Sequence, residues 1–357
     1  MKKIFVDSAI YTHEGISGHS REEAKEFFNR GYDVFLTDIN YNIGFDSDEK
    51  LKNCYTPINR TGDDYIWYSV QPPYRQYNVP FSLAGHMQEK NLFYFLAFES
   101  KLPTLWLDVI NKANIKSMIT CSNYCKQQFL YDGVKHPIEI VPHGIDIKLY
   151  SPPNERQKNK KFTFLWVGTV HNKRKNLEGM IDAWKQFKHK NKSKLIVKIS
   201  TIYGIDDKHR SLITDIMNDP SIEIITDVLS DKEMAELFIN SDCYVSPHTS
   251  EGFGMNILQA MAVDTPVICS GWTGNIDFTT NQALHLERFK EKECDEEPYI
   301  GDVWKYPKSE ELVKAMNTTI NGKYPYNVKE VGKRIRKDYN YQRIVDKLEK
   351  VFHQQYK

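Results

Sequence analysis

Short apolar runs alternate along this chain with longer stretches in which apolar residues recur every three or four positions. Ile4-Phe-Val, Asp33-Val-Phe-Leu-Thr37 and residues 117–121 read as strands in the first 150 residues. The pattern resumes with Phe162-Thr-Phe-Leu-Trp-Val, Leu195-Ile-Val-Lys-Ile199, Ile222-Glu-Ile-Ile225, Cys243-Tyr-Val and Pro266-Val-Ile-Cys269. Helical spacing appears from about Arg21 to Arg30, from Leu177 to Phe187, from Met255 to Val263 and from Val331 to Phe352. Strands alternating with helices imply an α/β protein whose parallel sheets are covered on both faces. Ser151-Pro152-Pro153 opens a polar, apolar-poor stretch that runs to Lys160 and reads as a linker. The expected organisation is a first doubly wound domain over 1–155, a second over 156–330, and a closing helical segment over 331–357.

A chain of 357 residues suits two such cores better than one. Its 48 basic and 47 acidic residues give a net charge of +1, so no general field attracts nucleic acid and any pull on anions must be local. The six cysteines, Cys54, Cys121, Cys125, Cys243, Cys269 and Cys294, are scattered. No Cys/His cluster completes a metal site around Cys121 and Cys125, and reduced, buried thiols are expected. The opening MKKIFVDS breaks its apolar run at Asp7 and reads as a first strand. With no run of about 18 apolar residues, a cytoplasmic protein is expected.

Candidate chemistry lies where strands meet glycines. Glu251-Gly-Phe-Gly-Met-Asn-Ile-Leu-Gln259 follows one strand and opens a helix. Gly252 and Gly254 permit close backbone approach, and the N–H groups of residues 253–255 at the helix start face outward with the positive end of the dipole, a fit for a pyrophosphate. Glu251 stands at the mouth of that turn and Gln259 about two turns down the helix. Upstream, Gly168-Thr169 ends a strand ahead of Arg174-Lys175-Asn176. Taken alone, most glycine turns bind nothing and most Lys-Arg-Lys runs are solvated. Together they fall beyond the carboxyl ends of strands, where doubly wound sheets bind ligands. Weaker signals are Gly15-Ile-Ser-Gly18-His19, the turn Pro142-His143-Gly144, His86, and the aromatic span from Tyr65 to Tyr77, which is able to face a sugar or fill a core. Asp46-Ser-Asp48 resembles a Mn²⁺ or Mg²⁺ pair but sits in a polar loop, and no metal site is assigned.

The stretch from Ser246 to Pro266, SPHTSEGFGMNILQAMAVDTP, closely resembles the signature of retaining glycosyltransferases of family 4. Phe162 to Asn176, Tyr94 to Trp106 and Ile119 to Asp146 are similar to the same family. The resemblance implies the GT-B fold, two Rossmann-like doubly wound domains with parallel sheets facing across a cleft, and a last helix that returns to the first domain. It also implies a metal-independent retaining hexosyltransferase that moves a sugar from a UDP- or GDP-linked donor to an acceptor hydroxyl and needs no further cofactor. Catalytic roles carry over to Glu251, Lys175 and Arg174. Donor contacts carry over to Gly15, Gly18, Gly168, Thr169, Gly252, Phe253, Gly254, Met255, Asn256 and Gln259. His19, His86 and His143 fall on the acceptor side or between domains. Two departures stand out: Thr169 where the family often has Arg, and Gln259 in place of the second Glu, which holds the ribose hydroxyls. Sugar, lipid-linked, polysaccharide and protein acceptors all stay open, as does a peripheral membrane contact through Lys185 to Lys194, a run whose plainer reading is a solvated helix end. Two rival readings share the architecture: a sugar-nucleotide 2-epimerase and a catalytically inactive nucleotide-binding homologue.

Overall fold

The computed structural model describes residues 3–8, 15–38, 65–70, 72–73, 87–157, 159–170, 173–200, 204–205, 207–295 and 298–354. The chain forms two compact units, one of Met1–Asp146 with Tyr339–Lys357 and one of Ile147–Asp338. The first unit runs β1 (Lys3–Ser8), α1 (Gly15–Asn29), β2 (Asp33–Asp38), β3 (Tyr65–Val70), β4 (Leu92–Phe95), α2 (Thr104–Lys112), β5 (Ile115–Thr120), α3 (Asn123–Asp132) and β6 (Ile138–Ile140). Its strands lie in the order β2-β1-β3-β4-β5-β6, every pairing parallel.

The second unit contains β7 (Phe162–Thr169), a 3-10 turn (Lys173–Lys175), α4 (Leu177–Gln186), β8 (Ser193–Ser200), α5 (Asp207–Met217), β9 (Ile222–Ile225), α6 (Asp231–Ile239), β10 (Cys243–Ser246) and α7 (Met255–Ala262). It continues with β11 (Val267–Ser270), α8 (Ile276–Thr279), β12 (Leu284–Leu286), a ribbon β13 (Phe289–Glu293) and β14 (Val303–Pro307), α9 (Ser309–Ile320) and α10 (Val328–Asp338). The parallel sheet is ordered β12-β11-β10-β7-β8-β9, while β13 and β14 pair antiparallel. The order reverses between β7 and β10, so the crevice of this unit opens at the carboxyl ends of those two strands.

Sequence accounts for these elements locally. In α4, Leu177, Met180, Ile181 and Trp184 form one buried stripe against Phe164, Trp166 and Leu195 of the sheet. Asn176 caps it by accepting a hydrogen bond from Gly179 N, and Glu178 and Lys185 complement the helix dipole at its two ends. Ser230 and Glu233 build a reciprocal capping box on α6. Helix α10 packs on the end of α7 so closely that a Cβ on Gly332 would fall 2.8 Å from Met261 O. Arg336 donates to Ala262 O and to Asp264 Oδ1, placing a cation at the carbonyl end of α7.

Several elements differ from the sequence expectation. Gly15 and Gly18 lie inside α1, which begins at residue 15 instead of about 21, and Gly168 is the seventh residue of β7 with the turn starting later. The helix expected over 331–352 is two helices, α10 and α11 (Tyr341–Gln354). Between them Tyr339 O accepts from Ile145 N at 2.7 Å, and Asn340 Oδ1 accepts from Arg343 N at 3.0 Å as a cap for α11. Helix α11 belongs to the first unit, where Glu349 meets Arg30 and Tyr32 and Phe352 packs against Phe93. The aromatic span is core where it is described: Trp67 and Tyr68 on β3 are fully buried. Asp46, Asp48, His86 and most of residues 71–86 lie outside the described residues.

Among the described residues no helix is long and apolar enough to cross a membrane. Cys121, Cys125, Cys243, Cys269 and Cys294 are buried thiols. Lys185, Lys188 and Lys192 are exposed at the end of α4 and after it.

Candidate functional site

Two turns leave the carboxyl ends of β7 and β10 at the point of strand reversal. The first carries Arg174 and Lys175 in its 3-10 turn, and the second carries Glu251. Gly168 makes room for the first turn, because a Cβ there would come within 2.8 Å of the Trp166 ring and 2.9 Å of Lys175 Cβ. Trp166 Nε1 donates to Lys175 O at 3.1 Å, and Thr249 N donates to Arg174 O at 2.9 Å. Asn176 adopts φ 52° and donates from Nδ2 to Pro247 O at 2.9 Å. Asparagine tolerates this left-handed conformation better than most residues, so the identity of Asn176 follows from the turn it closes.

These bonds bring three charges together from positions 76 and 77 residues apart. Arg174 Nη1 lies 2.9 Å from Glu251 Oε2, and Lys175 Nζ forms an ion pair with Glu251 Oε1. Glu251 is only 5% exposed, and burial by itself raises a carboxyl pKa. Lys175 first, then Arg174, outweigh that effect and hold the Glu251 carboxyl at about 2. Glu251 is therefore ionised at neutral pH, and two cations against one carboxylate leave a residual positive charge of one. An anion entering here meets basic groups that are partly desolvated and held in place.

Beside this triad, α7 starts without a side-chain cap. Gly254 occupies its N-cap at φ 95° and has no side chain to satisfy the first-turn N–H groups, which Ser122, Asn176 and Ser230 each do at other helices. Gly252, Phe253 and Gly254 are buried, Met255 and Asn256 half-buried, and Gln259 half-buried further along α7.

The Glu251 turn is held from behind by residues to which the sequence assigns no role: Thr273, Gly274 and Asn275 beyond the quoted stretches, and His248 within one of them. Its N–H donates to Thr273 Oγ1 at 3.1 Å, and its carbonyl accepts from Gly274 N at 2.9 Å. His248 is fully buried; with its proton on Nε2 it donates to Asn275 Oδ1 at 3.1 Å and accepts from Ser246 Oγ on Nδ1 at 3.1 Å. Burial pushes His248 from 6.5 down to about 4. Because the folded protein keeps this ring neutral while the unfolded chain protonates it near 6.5, the associated stability is full above pH 6.5 and is lost as pH falls toward 4. We expect His248→Gln to flatten the acid limb of the stability curve by up to about 1.4 kcal/mol per pH unit in that window. Urea unfolding between pH 4 and 7 measures it, and equal slopes for the two proteins would contradict the assignment.

Thr169 is the half-buried last residue of β7, and the remaining expected site residues lie in the first unit. His19 is 1% exposed, with Nε2 3.1 Å from Glu23 Oε1 and its ring 4.2 Å from that of His143, measured between centroids. Burial pushes His19 down to about 3 and His143 well below its ordinary value, with His19 adding to the effect on His143. Both are neutral rings packed in an interior. Gly144 is pressed against Tyr341, whose ring would lie 2.5 Å from an added Cβ, so the Pro-His-Gly turn is tightly packed architecture.

With this geometry in view, three comparisons bear on it. The family model described as glycosyl transferases group 1 matches residues 151–318. An alpha-monoglucosyldiacylglycerol synthase of Streptococcus pneumoniae is 22% identical over 212 residues, covering 55% of this chain and 47% of that protein. An MMP alpha-(1->4)-mannosyltransferase of Mycolicibacterium hassiacum is 25% identical over 170 residues, covering 44% of this chain and 37% of that protein. The match thus spans less than half the length of either relative. Among solved structures, Anabaena HepE crystallised with UDP and glucose superposes with a TM-score of 0.69 at 16% identity, over 99% of this chain and 100% of that one. A likeness at that identity establishes the fold, which is GT-B.

Proposed function

We propose, from the match of residues 151–318 to the glycosyl transferases group 1 family model, that the chain transfers a hexose from a nucleoside-diphosphate sugar to an acceptor hydroxyl with retention of configuration. The observation that carries this reading is the Arg174–Lys175–Glu251 triad beside the uncapped start of α7, at the strand reversal of the second unit. In such a transfer the leaving group is a nucleoside diphosphate, and charge develops on its phosphate oxygens. Lys175, Arg174 and the first N–H groups of α7 supply fixed positive charge and donors for them, a role that a metal ion plays in other transferases. Glu251 orients the donor sugar through its hydroxyls, and the acceptor hydroxyl gives its proton to a departing phosphate oxygen. The S. pneumoniae relative is named for a glycolipid and the HepE crystal holds UDP and glucose, which supports UDP-glucose as a first donor and a lipid-linked or sugar acceptor.

Release of UDP from UDP-glucose, or of GDP from GDP-mannose, in the presence of a glycolipid or oligosaccharide acceptor tests the reading. Release that is matched by sugar incorporated into acceptor supports transfer; donor consumed with no acceptor product points instead to isomerisation or hydrolysis. The same assay examines Gln259. A carboxylate hydrogen-bonds a ribose diol more strongly than an amide by about 1 kcal/mol, so Gln259→Glu should lower the donor KM about fivefold with little change in kcat. An unchanged KM would mean that the ribose is held by other groups.

A further inference from the structure

The β13–β14 ribbon plays no part in the reading above, yet it reaches both charged turns of the site. In the loop between its strands, Asp295 holds Lys173 Nζ at 3.0 Å, one residue before Arg174 in the same 3-10 turn. Tyr306 of β14 lines a small cavity with Thr169, Lys173 and Asn176. On the other side, the half-buried Trp272 stands against Phe289 of β13, ring centroids 6.2 Å apart. The ammonium of Lys305 on β14 lies 5.0 Å from the Trp272 ring centroid. Asp295 is largely exposed, so its ion pair is weakened by solvent and salt. The contact around Trp272 is the stronger of the two grips, because a cation over an indole face and an adjacent aromatic ring fix the side chain directionally.

What Trp272 holds is the next residue. Thr273 has φ 71°, a conformation that a β-branched side chain adopts only when its surroundings impose it. Its hydroxyl receives the Glu251 N–H, and Gly274 donates to the Glu251 carbonyl. The main chain of Glu251 is therefore pinned on both sides by a loop whose unusual backbone is anchored, through Trp272, in the ribbon. The backbone of the turn that carries the cations is held separately, by Trp166 and Thr249, so displacing the Glu251 main chain leaves that turn in place.

We propose that Trp272, clamped by Phe289 and Lys305, is a positioning residue that sets Glu251 for the hexosyl group of the donor and acts on the sugar nucleotide far more than on the diphosphate alone. This rests on the glycosyltransferase reading. It makes the ribbon the element through which sugar selection is set, by way of a residue that carries no reactive group of its own.

Calorimetric titration of wild type, Trp272→Ala, Trp272→Phe and Lys305→Ala with two ligand pairs, UDP with UDP-glucose and GDP with GDP-mannose, tests it together with donor kinetics. For the pair that wild type binds, Trp272→Ala should keep the affinity for the diphosphate within twofold while kcat/KM for the sugar nucleotide falls at least tenfold. Trp272→Phe, which retains a ring for Phe289 and Lys305, should recover to within threefold of wild type. Lys305→Ala changes a half-exposed side chain and should shift the sugar nucleotide in the same direction by about threefold; it decides the matter if Trp272→Ala does not fold. Equal weakening of diphosphate and sugar nucleotide, or weakening of neither, would overturn the proposal. Wild type that binds no member of either pair would sink the transferase reading itself.

Discussion

Lys175→Ala should lower donor turnover by about 10²–10³, the usual consequence of removing one preplaced group from a charge-stabilising site. The argument rests on placement. Lys175 is held by Trp166 through its carbonyl, meets Gly168 at a distance only glycine allows, and pairs with a carboxylate that is nearly out of solvent. Its removal deletes the proposed phosphate contact and also leaves Glu251 with Arg174 as its remaining ion-pair partner in the triad, so the carboxyl pKa must rise from about 2. Activity of the variant should then fall on acidification from neutral pH at a higher pH than in wild type. Steady-state kinetics at several pH values measures both effects. Turnover within twofold of wild type would remove Lys175 from the mechanism.

Glu251→Gln should separate binding from transfer. In the ligand-free site the carboxylate holds the same two cations that a diphosphate needs, so it competes with the ligand. Neutralising it removes that competition, and free UDP should bind as tightly as in wild type or severalfold tighter. Transfer should fall by about 10²–10³ if Glu251 orients the sugar as proposed. Titration with UDP beside turnover with UDP-glucose reads the two quantities. A parallel loss of both would reduce Glu251 to a structural anchor of its turn.

The fold was legible in the chain to the extent that burial is written in apolar runs. Strands such as Phe162–Thr169 and Ser193–Ser200 are buried on both faces and read continuously, which is the mark of parallel sheets. Strand β3 is harder to see, since Tyr65, Trp67, Tyr68 and Ser69 carry polar atoms that suit a sugar-facing surface as well as a core; Trp67 and Tyr68 are core. The apolar spacing persists across Tyr339–Asn340 and so predicts one continuous terminal helix; the interruption comes from a tertiary pairing with Ile145 that apolar spacing does not report. Glycines misled in the opposite sense. Gly15 and Gly18 fit within a helix and Gly168 within a strand, because glycine permits turns without requiring them.

At the site, the glycine turn at 252–254 was visible from strand, glycine pair and helix in sequence. The ion triad was not, because its members are joined only when β7 and β10 become neighbours across the strand reversal. The residues that hold Glu251 from behind, His248, Thr273 and Asn275, belong to no spacing rule; their roles arise from burial and from hydrogen bonds between segments. Asn176 carried a faint signal as an asparagine directly before a helix, a position that favours both capping and left-handed backbone.

The most direct test of a nucleoside-diphosphate-sugar site at this triad is thermal unfolding of the wild type and of Arg174→Ala/Lys175→Ala in the presence of UDP, GDP, ADP, CMP and their common sugar conjugates. At about 100 times the dissociation constant, a ligand confined to the folded state adds roughly 2.7 kcal/mol of stability. One diphosphate and its sugar conjugate should stabilise the wild type selectively, and the double variant should lose that shift. No stabilisation by any of them, or an equal shift in the double variant, would contradict the assignment of Arg174, Lys175 and Glu251 to a sugar-nucleotide site.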